Sequence, residues 1–243
     1  MGAPCRNRAG PSRPPTPRKS PDRLAGGLQG RQIGSGSALE PIGRVVKRDV
    51  MNEISEPTIA LLQRRRSVAP VNLTGPGPTE RELETALRIA SRAPDHGKLA
   101  PWRFLVFEGA ARERAGRLAL EIKLADEPLL DEASRQIELG RFSRSPLVVG
   151  VISRAAPHVK IPEWEQVLSA GAACMELVIA VNALGYASTW LTEWCAYDAR
   201  FRAAIGLAEH ERIVGFVHVG RPKFAPEDRP RPALADVVAR FPA

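Results

Sequence analysis

The chain has 243 residues, 44% of them hydrophobic, enough for one domain with a real core. Its net charge is +8, yet residues 1–50 carry ten Lys/Arg against three Asp/Glu, whereas residues 51–243 carry 25 against 24. A nearly neutral body has no general field for phosphate backbones, which argues against a nucleic-acid role, and no run of eighteen apolar residues predicts a membrane helix.

Residues 1–50 are rich in Pro, Gly, Arg and Ser. Such a segment buries too little surface to offset its chain entropy, so it is expected to be a disordered basic extension. The opening Met1-Gly2-Ala3-Pro4-Cys5-Arg6 has no apolar stretch of a secretory signal. A targeting segment, a nucleic-acid tail and an extension from an early start codon compete; Met51 favours the last, with the folded domain spanning 51–243.

Within that domain, residues 57–66 read as a helix ending at Arg64-Arg65-Arg66-Ser67, and 72–78 as a Gly/Pro loop. Thr79 and Glu82 form a capping box that opens a helix with Leu83, Leu87 and Ala90 inward, stopped by Pro94. Residues 102–108 alternate as a strand. Residues 110–125 and 128–142 read as helices. Leu147 to Ile152 is continuously apolar, the pattern of a strand covered on both faces. Residues 163–184 form the longest helix, apolar nearly all round, with Gly171-Ala172-Ala173 allowing close backbone approach. Gly185 caps it, and 186–191 follow as a strand. Asp198 opens a short helix through Ile205, 212–219 form the last strand, and the final twenty residues an extended arm. The interleaving predicts helices on a mixed central sheet, an α+β fold.

Cys5, Cys174 and Cys195 form no C-x-x-C pair and no zinc spacing, which fits a reduced cytoplasmic protein with Cys174 as an inert core thiol. His218, inside an apolar strand, reads as a satisfied core imidazole. No nucleophile elbow, P-loop or Rossmann glycine motif is present, and no metal site is expected. Chemistry without a nucleophile or metal points to a cofactor. Two segments hold the right groups. Arg65, Arg66 and Ser67 offer guanidinium and hydroxyl donors for an anion, although helix-end arginines commonly serve the macrodipole alone. Ser91 to Phe104 crowds Arg92, Asp95, His96, Lys98, Trp102 and Arg103 into one connector.

The ordered set Arg65-Arg66-Ser67-Val68, Arg92-Ala93-Pro94-Asp95-His96, Pro101-Trp102-Arg103-Phe104, Trp164-Glu165-Gln166, Gly185-Tyr186 to Trp190, and Gly220-Arg221-Pro222 resembles the nitroreductase family over about residues 57–225. The resemblance implies an α+β fold and a homodimer with FMN between subunits. It implies FMN contacts from Arg65, Arg66, Ser67, Arg92, His96, Trp190, Leu191 and Thr192. It assigns NADH or NADPH to Ala180, Val181, Asn182, Ala183, Leu184 and Gly185. The implied activity is ping-pong reduction of nitroaromatics, quinones or related electron-poor molecules, with Arg92 a charge stabiliser at the flavin. A dehalogenase or dehydrogenase role, or nucleotide binding without nitroreduction, is the alternative. Where relatives carry Arg-Ser after the tryptophan, this chain has Leu191-Thr192, which removes one cation.

Overall fold

The computed structural model describes residues 53–242. The expected extension at 1–50 and the start at Met51 lie outside them. Seven helices and five strands follow in the order α1 (Glu56–Arg64), β1 (Leu73–Thr74), α2 (Glu80–Ala90), β2 (Trp102–Phe107), α3 (Ala110–Asp126), α4 (Glu132–Gly140), β3 (Leu147–Ser153), α5 (Glu163–Ala183), β4 (Ala187–Leu191), α6 (Ala199–Ala204), β5 (Arg212–Pro222) and α7 (Leu234–Val237) among the described residues.

β5 is the spine of the sheet. β3 pairs along one of its edges and β4 and β1 along the other, with β2 beyond β3. These ladders are antiparallel, and a single parallel bridge joins Ser67 to Ser188, so the sheet is mixed. β1 emerges from the predicted 72–78 loop because Leu73 and Thr74 pair with Pro222 and Arg221.

The period-two geometry of β3 divides the core. Leu147, Val149 and Val151 face α2 and α5, meeting Leu83, Ala86, Cys174, Leu177 and Val181. Val148 and Ile152 face α3 and α6, in a layer built on Phe107, Phe142, Phe201 and Phe216. Every residue of β3 is buried, as its unbroken apolar run predicts. Phe142 stacks on Phe201 with ring centroids 5.5 Å apart and meets Phe216 edge-on at 5.1 Å. His218 sits in the core at 1% exposure with Nδ1 2.9 Å from Ser145 Oγ. Ser145 donates to Leu147 O, so the imidazole donates from Nδ1 and is satisfied as a neutral ring.

The capping box forms as read. Glu82 N donates to Thr79 Oγ1, and Thr79 N donates to Glu82 Oε2 at 2.8 Å. α4 starts four residues later than the sequence suggests, because Asp131 accepts from Ser134 N and sets the N-cap there. α5 is long and apolar enough to cross a membrane by length and composition, and half of it is buried inside the fold. Its apolar surface is not fully covered: Trp164, Leu168 and Met175 are 68%, 53% and 37% exposed.

Candidate functional site

α1 ends at Arg64, and Arg65 turns out of it with φ −55° and ψ 129°. Arg65 to Ser67 therefore run extended rather than as a helix end. Val68 N donates to Ser188 O at 3.1 Å, which pins the segment against β4. Ser188 is held from behind by Asn182 Nδ2 at 3.0 Å. Arg66 Nε donates to Glu227 O and lies 3.4 Å from Asp228. Burial, and then the guanidiniums of Arg66, Arg231 and Arg229, hold Arg65 below its ordinary pKa. The C-terminal arm thus adds two arginines that sequence reasoning did not single out. They stand in a charged, Pro-rich stretch, and no spacing rule links residue 231 to residue 65.

The connector after α2 is tightly built. Gly97, Lys98 and Ala100 have φ of 71°, 58° and 46°, where side chains are strained. Asp95 opposes the strain by accepting from Leu99 N and Ala100 N, each at 2.9 Å. Ser169 Oγ donates to Pro94 O and accepts from Trp102 Nε1. His96 Nδ1 lies 2.7 Å from Glu165 Oε2, while Arg92 is exposed. Arg103, part of the same crowded sequence, instead grips the buried Glu211 with two 2.7 Å bonds and serves the fold.

Trp190 lies across Gly215 and donates from Nε1 to Val214 O at 3.1 Å. Leu191 and Thr192 continue from it, half-buried. Beside them a cavity of about 670 Å³ opens between α5 and β5, lined by Val167, Leu168, Gly171, His210, Ile213 and Val214. Sequence reasoning assigned it nothing, since its walls are separated by some forty residues. The stretch Ala180 to Gly185 does not present one surface. Ala180 and Val181 are 1% exposed inside the core, and Asn182 is engaged with Val178 O and Ser188. Ala183 and Gly185 are its exposed members.

The candidate residues fall into two groups at opposite ends of α5. Ser67 and Ser188 stand by Asn182, whereas His96 stands by Glu165 and Pro94 by Ser169. Asn182 and Glu165 are 17 positions apart on the helix, about 25 Å at 1.5 Å per residue. Within the chain, therefore, Arg66 and His96 are held at opposite ends of α5.

Comparison with known proteins gives a consistent answer. The nitroreductase family profile matches residues 62–221. YdjA of Escherichia coli (strain K12), provisionally named an NAD(P)H nitroreductase, is 35% identical over 168 residues, which cover 68% of this chain and 88% of YdjA. Among solved structures, a nitroreductase-like family protein from Bacillus cereus superposes with a TM-score of 0.66 at 23% identity, covering 79% of this chain and 98% of that one. A variant of NfnB, an FMN- and NADPH-dependent nitroreductase from Sphigopyxis sp. strain HMH, gives 0.57 at 19% identity, covering 75% and 98%.

Proposed function

The chain belongs to the nitroreductase family and is an oxidoreductase, and we propose that it uses FMN and NAD(P)H to reduce nitroaromatics, quinones or related electron-poor small molecules. One observation carries the cofactor reading. An extended bend with Arg65, Arg66 and Ser67 is pinned to β4 at Ser188, two residues before the half-open indole of Trp190. Four arginines crowd this bend, enough that burial and its neighbours press on the charge of Arg65. A phosphate relieves that repulsion by accepting charge-assisted bonds, and a flat ring finds an apolar surface nearby. The donor set therefore fits FMN.

Arg65, Arg66 and Ser67 would hold the phosphate and ribityl chain, supported by Arg229 and Arg231. Trp190, Leu191 and Thr192 would border the ring, with Arg92 and His96 contributing from the other half-site. Bound FMN would supply the two-electron redox chemistry that links NAD(P)H to the acceptor. The chain's part is to bind, to orient and to set the local charge. Arg92 is the candidate to stabilise negative charge at the ring, and solvent suffices as proton source.

The split along α5 supports a homodimer in which each site is shared. Trp164, Leu168 and Met175 form an exposed apolar stripe, and Gly171 in its middle has open space where a Cβ would stand. A second α5 laid antiparallel on this stripe sets the His96 end of one copy beside the Arg66 end of the other. The buried, unpaired Cys174 and Cys195 support a reducing, cytoplasmic setting.

The test is direct. Purified protein should carry a flavin absorption spectrum, release FMN on denaturation, and oxidise NADH or NADPH only with an acceptor from a nitroaromatic and quinone panel. A colourless protein that no FMN reconstitutes overturns the reading.

A further inference from the structure

Glu193 stands where the chain leaves β4, directly after Thr192, with φ 55° and ψ 177°. Glycine alone enters this region freely, so a glutamate there is strained. Its carboxylate is fixed from the far side of the turn. Arg141 Nη1 donates to Oε1 at 2.7 Å, and Arg144 Nη2 donates to Oε2 at 2.7 Å. Arg141 is itself buried and forked onto the buried Glu138, whose Oε2 also accepts the indole N–H of Trp194 at 3.1 Å. The end of α4 thereby grips two consecutive residues of the turn through their side chains. The turn carries Trp194, Cys195 and Ala196 into the aromatic layer of the core, and a glycine at 193 would make the same turn without the clamp.

We propose that Glu193, locked by Arg141 and Arg144, is a positioning residue that holds the Leu191–Thr192 segment in the backbone course needed to receive FMN. The proposal rests on the reading that this segment borders FMN. The charge network supplies the force, and the backbone is what the ligand meets. Glycine at 193 reaches the same φ and ψ unaided, so it should replace the clamp; alanine has neither the charge nor the freedom.

Full-length wild-type, Glu193→Ala, Glu193→Gly, Arg144→Gln and the double variant Arg144→Gln/Glu193→Gly are stripped of flavin and titrated with FMN by fluorescence quenching. Thermal midpoints of the apoproteins are recorded beside the titrations. Glu193→Gly should bind within about threefold of wild type, and Glu193→Ala at least about tenfold more weakly. Arg144→Gln should weaken binding, and the double variant should regain the wild-type constant, because glycine makes the clamp dispensable. Should Glu193→Ala not fold, the Arg144 pair decides alone. Wild-type affinity in Glu193→Ala or in Arg144→Gln overturns the proposal, as does a double variant no better than Arg144→Gln. Wild-type protein that binds no FMN overturns the parent reading, and the proposal with it.

Discussion

Trp190 rests so closely on Gly215 that a Cβ built on the glycine would stand 2.0 Å from the indole Nε1 and 2.3 Å from Cδ1. The bare backbone of β5 is therefore the seat of the ring, and Trp190 keeps it by donating to Val214 O. Gly215→Ala should push the indole off this seat. Overpacking of this kind costs about 1–3 kcal/mol, readable as a lower thermal midpoint. FMN affinity should fall with it.

Arg66→Ala should weaken FMN binding by roughly 10- to 100-fold, since a bond to a charged group contributes about 1.5–3 kcal/mol. Arg231→Ala should weaken it less, because Arg231 acts at the rim from the C-terminal arm. Both effects should shrink as salt rises, and equilibrium titration at two ionic strengths measures this. Equal affinity of Arg66→Ala and wild type at low salt would remove the phosphate assignment.

Mixing experiments test the shared site. Arg66→Ala and His96→Ala homodimers should each be impaired in both sites. Co-refolded together, the mixed dimer holds one site with both defects and one with neither. Activity should then return to about a quarter of wild type, from half the molecules with half their sites. Leu168→Glu, on the exposed stripe of α5, should yield monomers in sedimentation. No recovery on mixing would mean that each site lies within one chain.

The pH dependence of stability follows from His218. Burial, and then Arg144 and Arg141, lower its pKa to about 3 from 6.5. Below pH 6.5 the unfolded chain takes up a proton that the native core refuses. Stability from this residue is intact above pH 6.5 and declines as pH falls toward 3, by up to about 1.4 kcal/mol per pH unit. His218→Asn keeps a donor for Ser145 and removes the titration. Urea unfolding at pH 7 and pH 5 should show a smaller difference for the variant than for wild type.

Much of this fold is legible in one dimension. The Thr79–Glu82 box, the Gly185 stop with φ 83°, the Asp198 cap and the unbroken run of β3 depend on neighbours a few residues away. The sequence also marked Arg65, Arg66, Ser67, Arg92 and His96 as groups suited to an anion and a ring, because residue chemistry does not wait for the fold.

What local rules could not reach is distance along the chain and backbone stress. Arg229 and Arg231 join Arg65 only because the terminal arm returns past α1. The strained turn at Glu193 exists only because Arg141 and Arg144, some fifty residues earlier, are folded against it. Residue types and short-range periodicity determined the elements, and the resemblance to a family, carried by the ordered motifs, implied the ligand. Tertiary structure alone decided that the candidate groups lie at the two ends of one long helix, because contacts across the sheet, and not spacing in sequence, set where each end of α5 is held.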